Sequence, residues 1–592
     1  MEERFVPPSR LLVALFAVAT VRSHEWQSSA RTGTCYVNAN HSDTPLGSLF
    51  FTPTSRVCSV ADKTLHRSLQ DWRFNSFRLL EQLPIDSYFK TPARFIPRVI
   101  FSKIEPTPFR SKVKLMAITK SVLEDILDMN GDKLPGREEF VDFVSGNVVL
   151  PGSVPLAHRY GGHQFGSWAN QLGDGRAIML GEYVNKAGEH WELQLKGSGK
   201  TPYSRSGDGR AVLRSSIREF LCSEAMYHLG VPTSRAASLV VSDDTAYRDQ
   251  FYDGHMKQER TAVVLRLAPT WFRFGSLEIL AKNGETKELK QLVDFILREH
   301  FTDWISVRKQ YVDEDYIAMF GLIVNKTADM IAKWQSVGFS HGVCNTDNFS
   351  LLSITIDFGP FGFLDAYNPD FIPNFSDSEG RYSYKNQPDV GLFNVNKLRE
   401  AFWPLLRKES SKEKMHEALD NYYPRFWRTF QRIFRNKLGL IREDPKEREL
   451  MQLFLSILQE TKSDFTASFR QLGLINFEWL EEVPSTAWAL KKASKHKKWT
   501  QFLKDYEEVL KRTKVAEIDR VKLINATNPV YILRNWMAER AIRAADMNDF
   551  SEIWDLQKVL EKPFDEQAYA EERGFSKEAP NWSKQLKVSC SS

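Results

Sequence analysis

The sequence predicts an α+β fold in two lobes, followed by a helical C-terminal extension. Two observations carry this. From Phe74 to about Phe274 short apolar runs alternate with Gly and Pro, and "RAIMLGEYV", "HWELQLKG", "AASLVVS" and "RTAVVLRLA" have the length and branched content of strands. Beyond about residue 280 the apolar spacing turns helical, in "KELKQLVDFILREHF", "IAMFGLIVNKTADMIAKWQSVG", "LREAFWPLLRK" and "ELMQLFLSILQETK". The strand-rich part is interrupted by one strong helix, "GRAVLRSSIREFLCSEAMYHLG", periodic through Val212, Leu213, Ile217, Phe220 and Leu221 and closed by Gly230.

The elements then fall into order along the chain. Residues 1–31 hold an apolar run of eleven residues, Leu11 to Val21, with Arg4 and Arg10 before it and Arg22 and Arg31 after it. That run is too short to span a bilayer and has the form of a cleavable targeting segment, mitochondrial or secretory. Asn348-Phe349-Ser350 is a glycosylation sequon inside a candidate metal site, which weighs toward the mitochondrion. Residues 32–73 are polar and aperiodic, a flexible lead-in. The first lobe is expected over 74–279, the helical second lobe over 280–480, and the extension over 481–592, where "VYILRNWMAERAIRAADM" and "FSEIWDLQKVLE" continue the helical spacing.

Composition sets outer bounds. With 80 basic and 75 acidic residues the net charge is only +5, so the chain lacks the charge bias of a nucleic-acid binder. The run KKASKHKK, Lys491 to Lys498, is expected to be a solvated helix face. No other segment approaches membrane-spanning length, and nothing calls for an obligate oligomer, so a monomer is expected. The five cysteines, Cys35, Cys58, Cys222, Cys344 and Cys590, contain no CxxC pair, which excludes a zinc ribbon and a thioredoxin-type motif. Cys590 stands in the polar tail "KVSCSS", where a thiol is expected to be reachable.

Four features carry chemistry. "QLGDGRA", Gln171 to Ala177, places Gly173 and Gly175 where bare backbone amides can approach phosphate oxygens, with Arg176 adding a cation; it also suits an ordinary hairpin turn. Lys196 ends a strand and precedes Glu219, mid-helix, by 23 residues, the order of the phosphate-binding lysine and its glutamate partner in a kinase, although either residue alone is unremarkable on a surface. Arg266 and Arg273 lie in an apolar strand and just after it, where a guanidinium needs an anion, either a structural carboxylate or a phosphate. Asn348 and Asp357 flank a short apolar strand, Ile354 to Ile356, as two oxygen ligands able to clamp Mg²⁺ on a polyphosphate, or as polar turns of a hairpin. "GSGKT", Gly197 to Thr201, is no P-loop, because Gln194 occupies the position of the first glycine.

The segment Ser340 to Gly359, "SHGVCNTDNFSLLSITIDFG", ends in the Asn and Asp-Phe-Gly of a kinase, yet Val343 stands where a kinase has its catalytic Asp. Together with "AHRYGGHQFGSWANQLGDGRA", "LKGSGKTPYSRSGDGRAVLRSSIREFL", "TIDFGPFGFLDAY" and the terminal "SCSS", this stretch resembles the selenoprotein O family, the protein adenylyltransferase pseudokinases, from about Phe74 to the C-terminus. The resemblance implies a protein-kinase-like fold that binds ATP inverted, with Mg²⁺ or Mn²⁺, and transfers AMP to Ser, Thr or Tyr hydroxyls of protein substrates. It implies nucleotide contacts at Gly173, Gly175, Arg176, Asp208 and Gly209, phosphate contacts at Lys196, Arg266 and Arg273, and Glu219 as the ion-pair partner of Lys196. It also implies metal at Asn348 and Asp357, and Asp347 as proton acceptor. The sequence departs from the family at "APTWFRFG", where Thr270 and Trp271 replace a common Ser-His pair, and Cys590 stands where relatives often carry selenocysteine. A redox link through Cys590, either a mixed disulfide with a protein substrate or an intramolecular bridge, is a further expectation.

Overall fold

The computed structural model describes residues 64–88, 92–475 and 483–589; the targeting segment, most of the lead-in and Cys590 lie outside the described residues. Its strands are β1 Ile85–Asp86, β2 Phe101–Lys103, β3 Val113–Ile118, β4 Leu156–His158, β5 His163–Gln164, β6 Ser167–Trp168, β7 Ala177–Val184, β8 His190–Lys196, β9 Ala211–Val212, β10 Arg235–Asp249, β11 Met256–Ala268, β12 Phe339–Ser340 and β13 Gly362–Phe363. Nine of these form one mixed sheet in the order β1-β2-β4-β7-β8-β11-β10-β3, with β9 beside β11. Strands β1 and β2 pair in parallel and the remaining pairs are antiparallel.

The four strands expected from sequence are β7, β8, β10 and β11. Strand β10 runs on to Asp249, well past "AASLVVS". Its first eight residues are buried, whereas the rest, beyond a register shift between Val241 and Thr245, alternates and is largely open to solvent. A ribbon that projects from the core needs no apolar face, so "DDTAYRD" carries no strand signal.

The strong helix of the first half spans Leu213–His228, and twelve of its residues are buried. Strands β10 and β11 pack on it, as do helices Asn535–Asp546 and Ser551–Leu560 from the C-terminal part. It ends before Gly230, whose φ of +74° is a left-handed conformation that a Cβ would strain. The C-terminal helices also cover the sheet's edge strand β3: Trp554 Nε1 donates to the Met116 carbonyl at 2.6 Å and Gln557 Nε2 to that of Ile118 at 2.7 Å. An edge strand left bare would be a template for aggregation.

The rest of the chain is helical, with seventeen α-helices among the described residues. Helices Thr286–His300, Asp313–Ser336, Glu447–Thr461 and Ser551–Leu560 match the sequence periodicity closely. Three expectations need correction. The helix through "LREAFWPLLRK" runs Gln387–Phe402 and stops there, since Pro404 has no N–H to continue it. "VYILRNW" is extended until Asn535 and buries Tyr531, Ile532 and Leu533 without helical spacing. The basic run 491–498 is exposed or half-buried apart from Ala493, but only its first three residues are helical, the remainder forming the turn before helix Trp499–Thr513.

Within the helical part Lys437 is buried among Phe434, Phe465 and Phe469, its Nζ 4.6 Å from the Phe469 ring centroid. Burial pulls its ammonium down to about 7. A lysine depressed in the folded state binds fewer protons there than in the unfolded chain between pH 7 and 10.5, so this group makes stability rise with pH across that window. Lys437→Met is expected to raise the melting temperature near neutral pH and to remove a slope approaching about 1.4 kcal/mol per pH unit. Melting curves of the two proteins from pH 6.5 to 10 check this; parallel curves would contradict it.

Candidate active site

Asp357 is held from both sides. The expected strand Ile354–Ile356 reduces to one bridging residue, Thr355, paired to Thr233 and Phe349. It cannot extend because Ser353 and Asp357, at φ +55° and +60°, bracket it with left-handed turns. Trp334, from the long helix Asp313–Ser336, donates Nε1–H to Thr355 Oγ1 at 2.8 Å, and His341 Nε2 donates to the Ile356 carbonyl at 2.9 Å. Behind Asp357, Phe358 packs against Phe339 and Phe361. Aromatic pairs of this kind contribute about 0.5–1.5 kcal/mol each, so the turn has a rigid support.

Three cations converge on that carboxylate. Asp357 Oδ1 accepts from Arg266 Nη1 at 2.5 Å and Lys196 Nζ at 3.2 Å, and Oδ2 accepts from Arg273 Nη1 at 2.7 Å. Lys196 also meets Glu219 Oε2 at 2.5 Å, while Glu219 Oε1 accepts from Arg266 Nη1 at 2.8 Å. Glu219 thus bridges two cations, where the sequence reading gave it one. Burial alone would raise the Asp357 carboxyl, but Arg266, Lys196 and Arg273 together hold it well below the usual carboxylate range. Three cations face two carboxylates, and Arg176, half-buried, lies within the field of both. Nη2 of Arg273 is buried with no hydrogen-bond partner among the described residues. A cationic surplus with an unused buried donor is the signature of an anion site. Lys196 and Asp357 keep 13% and 17% of their side chains open, so a ligand can reach the cluster.

The glycine loop is tied to this cluster by side chains. Asp174, between Gly173 and Gly175, accepts from the His158 backbone N–H at 3.1 Å and from Gln194 Nε2 at 3.0 Å. Gln194 Oε1 in turn accepts from Nε and Nη2 of Arg266 at 2.9 and 2.6 Å. Both glycines also have a packing reason: a Cβ on Gly173 would lie 2.4 Å from the Tyr203 ring, and one on Gly175 3.0 Å from the Tyr203 carbonyl oxygen. Asp208 and Gly209 sit apart from the cluster. Asp208 is paired with Arg248 at 2.7 Å and reaches the cluster only through the field of Arg176, while Gly209 packs on the Gly199 backbone.

Asp347 and Asn348 form a short 3-10 turn beside Arg273, whose Nη1 donates to the Asp347 carbonyl at 2.8 Å. Gln164 Nε2 donates to Asp347 Oδ2 at 3.1 Å, while Oδ1 is buried without a partner among the described residues. Burial pushes the Asp347 carboxyl up to about 7, where a carboxylate can take a proton and pass it on. Asn348 Nδ2 donates to the carbonyl of Val343 at 2.9 Å, leaving the amide oxygen as its ligand atom. Among the described residues no group of three His, Cys, Asp or Glu assembles into a metal site. An ionised Asp357 with the Asn348 amide nevertheless fits Mg²⁺, which takes one or two protein oxygens and completes its shell with phosphates and water.

The family model "Protein adenylyltransferase SelO" matches residues 94–561. The chain belongs to this family. Among its relatives in the SelO family, the protein nucleotidyltransferase YdiU of Rhodopirellula baltica is 40% identical over 541 residues, covering 87% of this chain and 98% of the relative. Those of Thiobacillus denitrificans and Flavobacterium johnsoniae are 39% and 40% identical over 525 and 522 residues, covering 87% of this chain in each case and 99% and 97% of the relatives.

Several residues of this SelO-family site carry no individual signal in the sequence. Gln164 and Gly162 lie in the β5–β6 segment that folds over Asp347, and Gln194 joins the glycine loop to Arg266. Trp271, part of the departure from the family pattern, stacks against Arg266 at 4.3 Å and donates its backbone N–H to Glu192 at 2.9 Å. A Cβ on Gly162 would stand 2.6 Å from Asp347 Oδ1 and 2.9 Å from its Cβ. Gly162→Ala is therefore expected to displace Asp347, lowering transfer at least tenfold, about 1.4 kcal/mol or more, while nucleotide affinity stays within about twofold, roughly 0.4 kcal/mol. Equal losses in both would contradict the placement.

Proposed function

We propose that the chain transfers AMP from ATP to Ser, Thr or Tyr hydroxyls of proteins and releases pyrophosphate. It would do so on a kinase-like frame of lobes 74–279 and 280–480 with the extension 481–592. The observation that carries this reading is the buried cation cluster of Lys196, Arg266 and Arg273, with its unused Arg273 Nη2, set beside an orphaned acceptor at Asp347 Oδ1. Family membership supports the same reaction class.

In this reading the roles are those the family resemblance implies, and the geometry is compatible with them. Lys196, Arg266 and Arg273 hold the distal phosphates, so the terminal phosphate is withheld and the α-phosphorus is presented to the acceptor. Glu219 and Gln194 fix the directions of Lys196 and Arg266. Asn348 and Asp357 would hold a divalent cation, which would supply further charge neutralisation at the phosphates. Asp347 accepts the proton of the hydroxyl as its oxygen bonds to the α-phosphorus and the α–β bridging bond breaks. Preorganised charge at the leaving group is usually the largest catalytic term, so the loss of an acid at Val343 is tolerated: the proton leaves from another side of the nucleotide. Mass spectrometry of a protein incubated with the enzyme and ATP tests the product; an AMP adduct supports the reading and a phosphate adduct opposes it.

We assign the chain to the mitochondrion on its Arg-flanked apolar run, with the secretory pathway as the alternative; protease-protected fractionation separates them. For the redox link, a bridge from Cys590 to Cys222 or Cys344 is disfavoured, because both thiols are buried and pushed well above their ordinary range by that burial. Cys35 and Cys58 lie outside the described residues, and exchange with partner proteins is the route we propose for Cys590.

A further inference from the structure

Arg218 neighbours Glu219 on the helix Leu213–His228 but serves a different space. Its side chain stacks on the Phe361 ring at 4.1 Å, and its Nη2 and Nε donate to the carbonyls of Phe361 and Gly359. Nη1 donates to Asn535 Oδ1 at 3.3 Å. All three acceptors are neutral, and no carboxylate among the described residues lies within ion-pair distance, though the residue is only 6% exposed. Burial accordingly pulls the guanidinium down to about 10. The Glu539 carboxylate acts on Arg218 only through its field, without contact, and a buried guanidinium with no carboxylate in contact is unusual, since such groups are normally paired.

The same residue lines a small open cleft, of about 30 Å³, together with Arg214, Asn535, Glu539 and Lys587. Arg214 is already neutralised by a two-point pair with Glu259, and Glu539 is paired with Arg543. Arg218 has no carboxylate in contact, only the field of Glu539, and Lys587 is exposed, its Nζ 4.4 Å over the Phe375 ring with no carboxylate paired to it among the described residues. A guanidinium carries five N–H donors, of which the three contacts above use only part.

We propose that this cleft binds a small phosphate-class oxyanion on Arg218 and Lys587, and that binding stiffens the Gly359–Phe361 turn behind Asp357. The anion supplies a counter-charge in direct contact, which holds Arg218 on the two carbonyls and thereby the turn that aims the Asp357 carboxylate. The binding step stands apart from the proposed reaction; its coupling to nucleotide rests on that reading.

Calorimetric titration of the full chain with inorganic phosphate tests this, in the presence of saturating non-hydrolysable ATP analogue and Mg²⁺, which occupy the Lys196 cluster, and at constant ionic strength. The wild type is expected to bind phosphate saturably, and Lys587→Glu, on an exposed position, to weaken it at least tenfold with unchanged activity in phosphate-free buffer. Arg218→Lys, which keeps the charge but loses the fork, should weaken it similarly. Equal phosphate affinity in the wild type and Lys587→Glu, or no saturable binding, would overturn the site. In a separate titration, phosphate should raise affinity for the ATP analogue about fivefold or more, the usual range of coupling between linked sites. Binding with no such change would overturn the coupling. A chain that binds no ATP would sink the proposed reaction, and phosphate titration without nucleotide, compared between wild type and Lys587→Glu, would still decide the cleft.

Discussion

Asp357→Ala is expected to abolish AMP transfer and also to lower the melting temperature of the nucleotide-free protein. The first effect follows from losing an ionised metal ligand. The second follows from the three cations that the carboxylate neutralises: without it Lys196 and Arg266 share Glu219, and Arg273 loses the one carboxylate it contacts among the described residues. Removing one member of a buried ion-paired group costs about 3–5 kcal/mol, because the remaining charges stay desolvated. Polyphosphate can replace the lost anion, so ATP should restore more stability to the variant than to the wild type. Thermal melts with and without ATP, run beside an activity assay, check both points. A variant that melts like the wild type and transfers AMP would remove Asp357 from the site.

Arg273→Lys should weaken ATP far more than AMP. Lysine keeps the charge near Asp357 but loses the fork whose Nη2 is unused in the present structure. Hydrogen bonds to charged groups contribute about 1.5–3 kcal/mol, so the loss for ATP should be roughly ten- to hundredfold. AMP, which lacks the distal phosphates, should lose less than about threefold, under 1 kcal/mol. Arg266 is the poorer probe, since its truncation also frees Gln194 and Glu219 inside the protein. Equal losses for ATP and AMP would place Arg273 away from the distal phosphates.

The candidate site was legible where a chemically committed residue sits at a regular place. Lys196 ends a strand, Glu219 lies mid-helix and Arg266 stands in an apolar strand, and each position follows from local periodicity, so their convergence could be anticipated. Asp357 was legible from its motif, but the strand before it was not real: two left-handed residues confine it to a single bridge, and left-handed turns at Ser and Asp leave no apolar pattern. The segment around Gly162 and Gln164 was quoted as a motif without roles, because its contacts to Asp347 cross about 180 positions of sequence through irregular backbone. Gln194 was considered only as the residue that spoils a P-loop, whereas its amide joins Asp174 to Arg266.

The fold shows the same division. Strands and helices with one buried face announced themselves; the polar continuation of β10 did not, nor did the return of the C-terminal helices onto β3. The tail was read only as a place where the Cys590 thiol is reachable, and Cys590 lies outside the described residues. Up to Ser589 the tail is docked: Asn374 bridges Val588, the Phe375 N–H donates to the Val588 carbonyl at 2.7 Å, and Ser589 Oγ donates to the Gln250 carbonyl. Backbone pairing of this kind needs no particular side chain, so "KVSCSS" gives no sign of it.

The central claim is that the α-phosphorus of ATP, and not the γ, reaches the acceptor. Incubation of the wild-type chain and a protein substrate with ATP labelled at either position decides this directly. The account predicts label on protein from α-labelled ATP only, pyrophosphate released in equal amount, and none of either with Asp357→Ala. Label arriving from γ-labelled ATP would make the chain a kinase, and binding of ATP with no label from either position would make it a nucleotide-binding module without transfer.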